Sequence, residues 1–474
     1  MEMVEPPANL SAILERALDH HRAGRYPEAL RLYQELLALR PDEVGLLVNH
    51  GIAALQAGRV DLAVDSLRRA VAIKPALAEA HFNLANALHR DERFEEAAAS
   101  YRRALDIDPE NAAAHNNLGV ALQKSNRARE AIASFREAIA IRPDYTEAYV
   151  NLCQAFRVLG DLDDALAAGR RATEISPRSC EAHDCYASAL SRAGRLDEAV
   201  SVFQTALSIN PNFVHARNNL AKTLIRAGRS GEALAVLDMC LESHPSNTEA
   251  LATKCVALNE VGDREALGRL MSCEDLLERV DVHAGFEPGR LADFNKALAR
   301  HVAGHPCLMF EPEKNSTKDG LQTGNLLVEP KGPIATLEKI IGEAVNAYAR
   351  RRLGRLNHPF LAKVPPRTYL RMWGVVLKSQ GHQTPHIHPS AWISGCYYVQ
   401  VPTAISEAAD GHPGWIEFGR PHPLLEAKAE PAITRVRPEE GLMLLFPSFF
   451  YHSTVAFTSE QDRVSLAFDV IPSV

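Results

Sequence analysis

The sequence predicts two kinds of structure in one chain: an all-α array of helical repeats and, after it, an α+β domain with an antiparallel, strand-rich core. The first observation is a series of prolines at a constant spacing of 34 residues, from Pro41 to Pro245. The second is a change of pattern near residue 366, beyond which short apolar runs alternate with Gly and Pro. A fixed period of this length is typical of stacked helix pairs, whereas short punctuated runs are typical of strands.

The composition excludes several classes of partner. The chain has 474 residues, a formal net charge of -7 and no apolar run long enough to cross a membrane. We therefore expect neither a nucleic-acid partner nor a membrane partner. The first ten residues, MEMVEPPANL, lack the basic and apolar regions of a secretory signal, and the eight cysteines form no CxxC pair. These features predict a cytoplasmic location, with no disulfide framework and no zinc ribbon.

Two further residue series share the period of the prolines. An alanine lies twelve residues before each proline, and a Gly or Asn separates the two helices of most repeats, as at Gly58 and Asn126. Small residues let helices approach closely, Gly and Asn adopt a left-handed turn, and proline ends the second helix. These positions resemble the tetratricopeptide repeat. Seven copies cover residues 10–247 and a further helix pair follows, so the predicted solenoid spans residues 10–270.

A series of asparagines occupies one register of the first helix in successive repeats. Its members are Asn49, Asn83, Asn117, Asn151 and Asn219, with Cys185 in the remaining place. In the family that the repeats resemble, the first helix lines the concave surface. A carboxamide both donates and accepts hydrogen bonds, so such a ladder can pair with the backbone of an extended peptide. We therefore expect a protein or peptide on the concave face; the alternative is that these asparagines serve helix packing or capping.

The C-terminal part is predicted to contain two helices and eight strands. Residues 271–290 are expected to form a connector, and residues 291–304 and 334–353 have helical patterning on either side of a polar loop. Candidate strands are residues 367–378, 384–388, 392–401, 414–418, 432–437, 441–446, 452–457 and 463–471. Short strands without intervening helices favour an antiparallel barrel or jelly roll. The predicted domain spans residues 291–474, with its β core at about residues 366–474.

Three histidines and an arginine form a candidate site for metal chemistry. His386 and His388 are two residues apart, so on a strand both imidazoles face the same side. His452 begins a later predicted strand, and Arg463 opens the next one, with Ser465 on the same face. This order resembles the Fe(II)/2-oxoglutarate dioxygenases, whose fold is a double-stranded β-helix. The segments HIHPSAWISGCYYV, GWIEFGRP, EEGLMLLFPSFFYHS and RVSLAFDV are similar to one family of 2-oxoglutarate/iron oxygenases, over roughly residues 290–474.

The resemblance implies Fe(II) as cofactor and 2-oxoglutarate as cosubstrate. By that resemblance His386 and His452 are iron ligands, and no catalytic residue is expected beyond the metal centre. Arg463 and Ser465 would hold the cosubstrate. Tyr398 is a candidate hydrogen-bond donor to it; the alternative is that this strand aromatic belongs to the core or the pocket wall.

The sequence departs from the usual pattern at the third ligand, where His388 replaces an Asp or Glu. Either His388 is the third ligand, because a neutral imidazole suits Fe(II), or water takes that place. Glu417 and Asp469 are the remaining carboxylate candidates, and both lie far from His386 in the sequence.

The two parts together predict a 2-oxoglutarate-dependent dioxygenase that hydroxylates a protein or peptide recruited by the repeats. The alternative is a non-catalytic interaction protein with a degenerate or cupin-like barrel that only binds metal. The missing carboxylate favours this alternative. Arg463 and Ser465 favour the enzyme, because an inactive site needs no cosubstrate anchor.

Overall fold

The structure is a computed structural model that describes residues 10–287, 289–311, 316–328, 330–352, 358–361, 364–407 and 411–473. The chain divides into two compact units, residues 1–194 and residues 195–474. The second unit therefore holds the last repeats together with the strand-rich part. A domain boundary at residue 270 remains a prediction.

The first unit consists of helices that pack in consecutive pairs. They are α1 (Leu10–Arg22), α2 (Tyr26–Leu39), α3 (Val44–Gln56), α4 (Val60–Ile73), α5 (Ala78–Arg90), α6 (Phe94–Ile107), α7 (Ala112–Lys124), α8 (Ala128–Ile141), α9 (Thr146–Leu159), α10 (Leu162–Ile175) and α11 (Cys180–Arg192).

The turns inside the repeats have the predicted left-handed residue. Gly58 has a φ of 74° and Asn126 a φ of 61°. The turn between α5 and α6 places Glu92 in the same region, with a φ of 58°. The backbone conformation is therefore retained where the sequence has neither Gly nor Asn, at a modest cost in strain.

Small residues allow the helices of a pair to come close, as the sequence predicts. A Cβ atom on Gly119 would lie 2.5 Å from Cε1 of Phe135, and one on Gly51 would lie 2.5 Å from Cγ of Leu67. Phe135 and Tyr33 are themselves fully buried. Each repeat thus places a large side chain against the small residue of its own first helix or against the neighbouring pair.

The second unit begins with helices of the same kind and continues with shorter elements. Its helices are α12 (Leu196–Ile209), α13 (Val214–Arg226), α14 (Ser230–Ser243), α15 (Thr248–Val261), α16 (Arg264–Leu270), α17 (Cys273–Leu276), α18 (Arg290–Ala303), α19 (Ile334–Arg352) and α20 (Thr403–Glu407). Short 3₁₀ turns occupy Val282–Gly285, Pro359–Leu361 and Pro423–Leu425. No described helix combines the length and the apolar content that spanning a membrane requires.

The strands of the second unit form one curled antiparallel sheet. They are β1 (Glu278–Asp281), β2 (Met309–Phe310), β3 (Thr317–Gln322), β4 (Thr368–His386), β5 (Ile393–Gln400), β6 (Ile416–Phe418), β7 (Thr434–Val436), β8 (Leu442–Pro447), β9 (His452–Thr454) and β10 (Arg463–Pro472). The order is β1-β8-β5-β10-β4-β9-β6-β7, with β3 beside β4 and β2 beside β3.

Strand β4 bends and so belongs to both halves of the sheet. Its residues 368–377 pair with β10, whereas Gln383 and His386 pair with β9. Gln380 lies in the bend with a φ of 66°. A Cβ on the next residue, Gly381, would lie 2.7 Å from the carbonyl oxygen of Lys378. The bend therefore requires glycine at position 381.

The predicted fold class is confirmed: tetratricopeptide-type helix pairs precede an α+β part with a jelly-roll-like sheet. The candidate strands overlap β4 to β10, and residues 367–378 and 384–388 are two parts of the single strand β4. Sequence reasoning missed β1, which lies in the predicted connector, and β3, which lies in the predicted polar loop. The β3 sequence, TKDGLQ, has little apolar alternation, and its conformation comes from pairing with β4.

The terminal repeat helices hold the connection between β6 and β7, residues 419–433. Oε1 of Glu260 in α15 accepts hydrogen bonds from the backbone N–H groups of Lys428 (2.7 Å) and Ala429 (2.6 Å). Arg226 of α13 donates to Glu426 at 2.7 Å. The two bonds to Glu260 satisfy backbone N–H groups that have no strand partner, and the Arg226–Glu426 pair joins side chains, so the last repeats order this connection.

Substituting Glu260 with Ala is expected to loosen the connection. Loss of two charge-assisted hydrogen bonds should lower the local opening free energy by about 1–2 kcal/mol. Tryptic cleavage after Lys428 should then be about tenfold faster. Glu265→Ala is the matched control, because among the described residues Glu265 forms its ion pair with the exposed Arg269. Equal cleavage rates in the two variants would contradict this account.

Candidate metal centre

Three imidazoles converge where the end of β4 meets the start of β9. His386 is the last residue of β4 and pairs in register with His452, the first residue of β9. His388 follows two residues after His386, in the turn beyond the strand. The candidate ligand atoms of the three side chains all lie within 4.8 Å of one another. The structure thus brings together all three histidines that the sequence singled out.

Each imidazole is oriented by a hydrogen bond at Nδ1. Nδ1 of His386 lies 2.7 Å from the carbonyl oxygen of Thr384, and Nδ1 of His452 lies 3.0 Å from that of Phe450. Nδ1 of His388 lies 2.9 Å from Oδ2 of Asp469. Because these oxygens only accept, each Nδ1 carries a proton, which leaves the Nε2 lone pair of a neutral ring for another partner. This is the tautomer that a metal ligand needs.

Burial keeps two of these rings neutral. Burial, reinforced by the neighbouring His388, lowers the pKa of His386 to about 3. Burial, reinforced by His386 and His388, also holds the pKa of His452 well below its ordinary value. A neutral ring can bind a divalent cation through the Nε2 lone pair. In this structure Nε2 of His386 also lies 3.3 Å from Oγ of Ser316, which can donate to it.

No carboxylate completes the cluster in the part of the chain that the structure describes. Glu417 on β6 accepts hydrogen bonds from Arg420 (3.1 Å) and Arg435 (2.8 Å). Although burial opposes it, those bonds lower the pKa of Glu417. Asp469 reaches the cluster only through His388. Of the two carboxylates singled out in the sequence, one belongs to an ion-pair network and the other contacts a candidate ligand.

A buried cation without a counter-ion lies in the same cavity. Arg463 is 3% exposed, and its one hydrogen bond among the described residues is a 3.4 Å contact with Oγ1 of Thr454. Its guanidinium lies 5.0 Å from the ring centre of Tyr398. Within the described ranges no carboxylate pairs with it. A buried guanidinium in this state favours an anionic ligand.

Tyr398 and Ser465 lie beside Arg463. The Tyr398 hydroxyl is buried and makes no well-formed hydrogen bond with the described residues. Burial raises the pKa of Tyr398 far above its ordinary value, so the phenol keeps its proton and remains a donor. Ser465 pairs in register with Tyr398 and lines the same cavity. The predicted group of Arg463, Ser465 and Tyr398 is therefore together in space.

The cavity that joins the histidines to Arg463 is narrow, with a volume of about 30 Å³. That space holds an ion or one to two water molecules. A larger ligand must displace lining side chains, among them Gln383 and Trp373. A roomier cavity of about 490 Å³ lies between α15, α16 and the β6–β7 connection, but none of the three histidines lines it.

The asparagine series is half-buried throughout and only partly free. In the first unit, Nδ2 of Asn117 donates to Asn86 at 3.2 Å and Nδ2 of Asn151 donates to Asn116 at 2.9 Å. Asn49 and Asn83 make no such side-chain bond with described residues. In the second unit, Asn219 lies 3.2 Å from Nδ1 of His215. The alternative that these asparagines serve helix packing therefore applies to the members of the series that make these bonds.

Sequence reasoning missed several residues that shape the site. Thr454 lies two residues after His452, so the period of the strand already places it on the same face. Trp373 stacks on His388 with ring centres 5.7 Å apart, and Ser394 donates to Asp469 at 2.6 Å. These last contacts depend on strand register, for which the sequence carries no local signal.

The buried neutral histidines predict acid sensitivity of the metal-free protein. Below about pH 6.5 the unfolded chain protonates its histidines, whereas His386 resists protonation down to about pH 3. The free energy of unfolding should therefore fall as the pH drops across this range, by up to about 1.4 kcal/mol per pH unit for each such ring. His452→Gln should make the dependence shallower.

Tryptophan fluorescence during urea unfolding with a chelator measures this, because all three tryptophans lie in the strand-rich part. The control is Asn346→Ala at an exposed position on α19, which should keep the wild-type dependence because it changes no titratable group. An unchanged dependence in His452→Gln would refute the assignment of a buried neutral ring.

Comparisons with known proteins agree with both parts of the architecture. Residues 371–469 match the family described as "Putative 2OG-Fe(II) oxygenase". Four tetratricopeptide-repeat families match the N-terminal part. One matches both residues 14–78 and residues 116–179, and the others match residues 78–103, 91–126 and 190–255. A comparison with curated proteins found no match.

Several solved structures are similar to the repeats. YrrB, a TPR protein with an unusual peptide-binding site, is 26% identical, covering 40% of this chain and 99% of its own, at a TM-score of 0.33. MamA is 24% identical, with coverages of 34% and 94% and a TM-score of 0.33. The APC/C hetero-tetramer Cut9-Hcn1 is 15% identical, with coverages of 53% and 50% and a TM-score of 0.43. The family matches show that this chain joins tetratricopeptide repeats to a domain of the 2OG-Fe(II) oxygenase family.

Proposed function

We propose that the protein is an Fe(II)/2-oxoglutarate-dependent dioxygenase that hydroxylates a protein or peptide recruited by its repeats. The observation that carries this proposal is one cavity that is lined by three converging imidazoles and by a buried guanidinium without a counter-ion among the described residues. The first group suits a divalent metal and the second suits a carboxylate.

The donor set fits Fe(II). His386, His388 and His452 would hold the ion through Nε2, since each Nδ1 is already engaged. A bound Fe(II) with 2-oxoglutarate supplies the oxidising chemistry: O₂ converts the keto acid to succinate and CO₂ while one oxygen atom enters a C–H bond of the substrate. The protein's own part is to bind, orient and enclose the reactants.

Arg463 would bind the distal carboxylate of the cosubstrate. A guanidinium donates two parallel hydrogen bonds to a carboxylate, and burial strengthens them. The Tyr398 hydroxyl would donate a further bond, and Ser465 and Thr454 would line the same end of the cavity. The narrow cavity implies that binding rearranges lining side chains, which would exclude water from the metal.

Replacing a carboxylate ligand by His388 changes the charge of the centre. Three neutral imidazoles leave the site one unit more positive than two imidazoles and a carboxylate. A more positive centre favours the dianionic cosubstrate, as does the unpaired Arg463. The departure from the usual pattern is therefore compatible with cosubstrate binding.

The asparagine ladder supports a peptide as the substrate. Asn49 and Asn83 keep their carboxamides available, and Asn151 keeps one N–H and the oxygen. Asn117 keeps one N–H, because its oxygen accepts from Nδ2 of Asn116 at 3.3 Å. Such groups pair with backbone amides whatever the side chains of the peptide. The concave face would thus capture an extended segment without strict sequence selection.

An anaerobic titration with Fe(II) and 2-oxoglutarate tests the metal centre. Wild-type protein should develop the visible charge-transfer absorption of an iron-chelated keto acid, and His452→Ala should not. Arg463→Ala should weaken 2-oxoglutarate binding about 100-fold, since it removes charge-assisted bonds worth about 3 kcal/mol. The exposed Arg279 supplies the matched control, Arg279→Ala, which should bind normally.

His388→Ala distinguishes the two ligand sets. If His388 is a ligand, the variant should bind Fe(II) more weakly and shift the absorption band. If water takes that place, metal binding should be unaffected. Metal binding by the wild type without any charge-transfer band would defeat the 2-oxoglutarate assignment. It would favour the alternative, a non-catalytic or cupin-like metal-binding barrel, which the absence of a carboxylate in the cluster supports.

Peptide capture is tested with fluorescent random-sequence peptides. The double variant Asn49→Ala/Asn83→Ala should weaken their binding at least about tenfold, because each carboxamide would lose about 1 kcal/mol of hydrogen bonding. Peptides with N-methylated backbones should bind poorly to wild type. Asn346→Ala, on the exposed surface of α19, is the control. Equal affinity of normal and N-methylated peptides would exclude backbone recognition by the ladder.

A further inference from the structure

We propose that Asp469 is a positioning residue that fixes His388 as the third metal ligand. The Asp469 carboxylate would then act on the metal indirectly, through its hydrogen bond to His388, and not as a ligand. This inference rests on the proposed metal centre. Neither the histidine cluster nor the family match assigns this role to Asp469.

Both oxygens of Asp469 are engaged. Oδ2 lies 2.9 Å from Nδ1 of His388, and Oδ1 accepts a hydrogen bond of 2.6 Å from Oγ of Ser394. Asp469 on β10 pairs in register with Ser394 on β5, and its side chain is only 12% exposed. A buried carboxylate with both oxygens bonded has little freedom to turn, so it presents a fixed acceptor to His388.

His388 depends on this partner in a way that the other two histidines do not. His386 and His452 each bond through Nδ1 to a backbone carbonyl two residues earlier, so the local chain sets their orientation. His388 lies beyond the end of β4, and its Nδ1 partner is a side chain on another strand. Its tautomer can therefore be changed by one substitution that leaves the backbone intact.

The carboxylate would also affect the metal. A hydrogen bond from an imidazole to a carboxylate makes the ring a stronger donor and orients its lone pair. The negative charge of Asp469 is then felt at the ion through one imidazole. Trp373 stacks on the ring of His388 and so also restricts its orientation.

The test is a double-mutant cycle on metal affinity, measured anaerobically with Fe(II) and, through its visible absorption, with Co(II). Asp469→Asn should weaken both metals about 10- to 100-fold, because the amide can donate to Nδ1 and favour the tautomer without a free Nε2. In a His388→Ala background the same substitution should have no further effect. An independent loss in that background would show a merely structural role and overturn the inference.

The chain offers a matched control. Asp281 also accepts from an imidazole Nδ1, that of His283 at 2.8 Å, but on the exposed surface. Asp281→Asn should leave metal affinity unchanged.

Should Asp469→Asn fail to fold, Ser394→Ala carries the test. It removes the bond to Oδ1 and keeps the carboxylate, so metal affinity should fall about threefold with His388 present and not at all in the His388→Ala background. The same loss in both backgrounds would overturn the inference. The outcomes also separate this inference from the proposed function. If wild type binds no metal, the proposed metal centre fails. If wild type binds metal and His388→Ala weakens it while Asp469→Asn does not, only the role of Asp469 fails.

Discussion

The antiparallel pairing of the bent end of β4 with β9 is the constraint on which the site depends. It places His386 opposite His452. The ring of His388 stacks on the ring of His452. The same strand pairs with β10 before its bend, which brings Arg463 to the cavity and Asp469 into contact with His388. The bend needs a glycine at position 381. This glycine has no reactive side chain, but it determines the position of the candidate site.

Charge explains why the cluster and the arginine occur together. Burying a guanidinium without a counter-ion is costly, and the neutral rings of His386 and His452 carry Nε2 lone pairs beside the same cavity. An anion would pair with Arg463, and a cation would bind the histidines. A metal chelated by a keto acid, as proposed above, would provide both.

The sequence sufficed for features that recur or lie close together in the chain. The 34-residue period predicted the helix pairs, and the His386-x-His388 spacing predicted two rings on one face. It did not predict that Asp469 would contact His388, because that contact depends on the register of β10 with its neighbours. Strand β3 was missed for a similar reason, since its polar sequence is held by β4. The internal bonds of Asn117 and Asn151 come from side chains in adjacent repeats, which a single-register pattern does not reveal.

The last repeats are part of the same compact unit as the candidate metal centre. Contacts between these repeats and the strand-rich part give a physical reason why the two are joined in one chain. Glu260 and Arg226 hold the connection that follows β6, and the first residue of that connection, Gly419, donates to the carbonyl of Tyr451, next to His452. A helix that orders this connection therefore also supports the strand that carries a candidate ligand. Asn219, the last member of the asparagine ladder, lies on the same helix as Arg226. A segment bound near Asn219 would thus contact a helix that also holds this connection through Arg226.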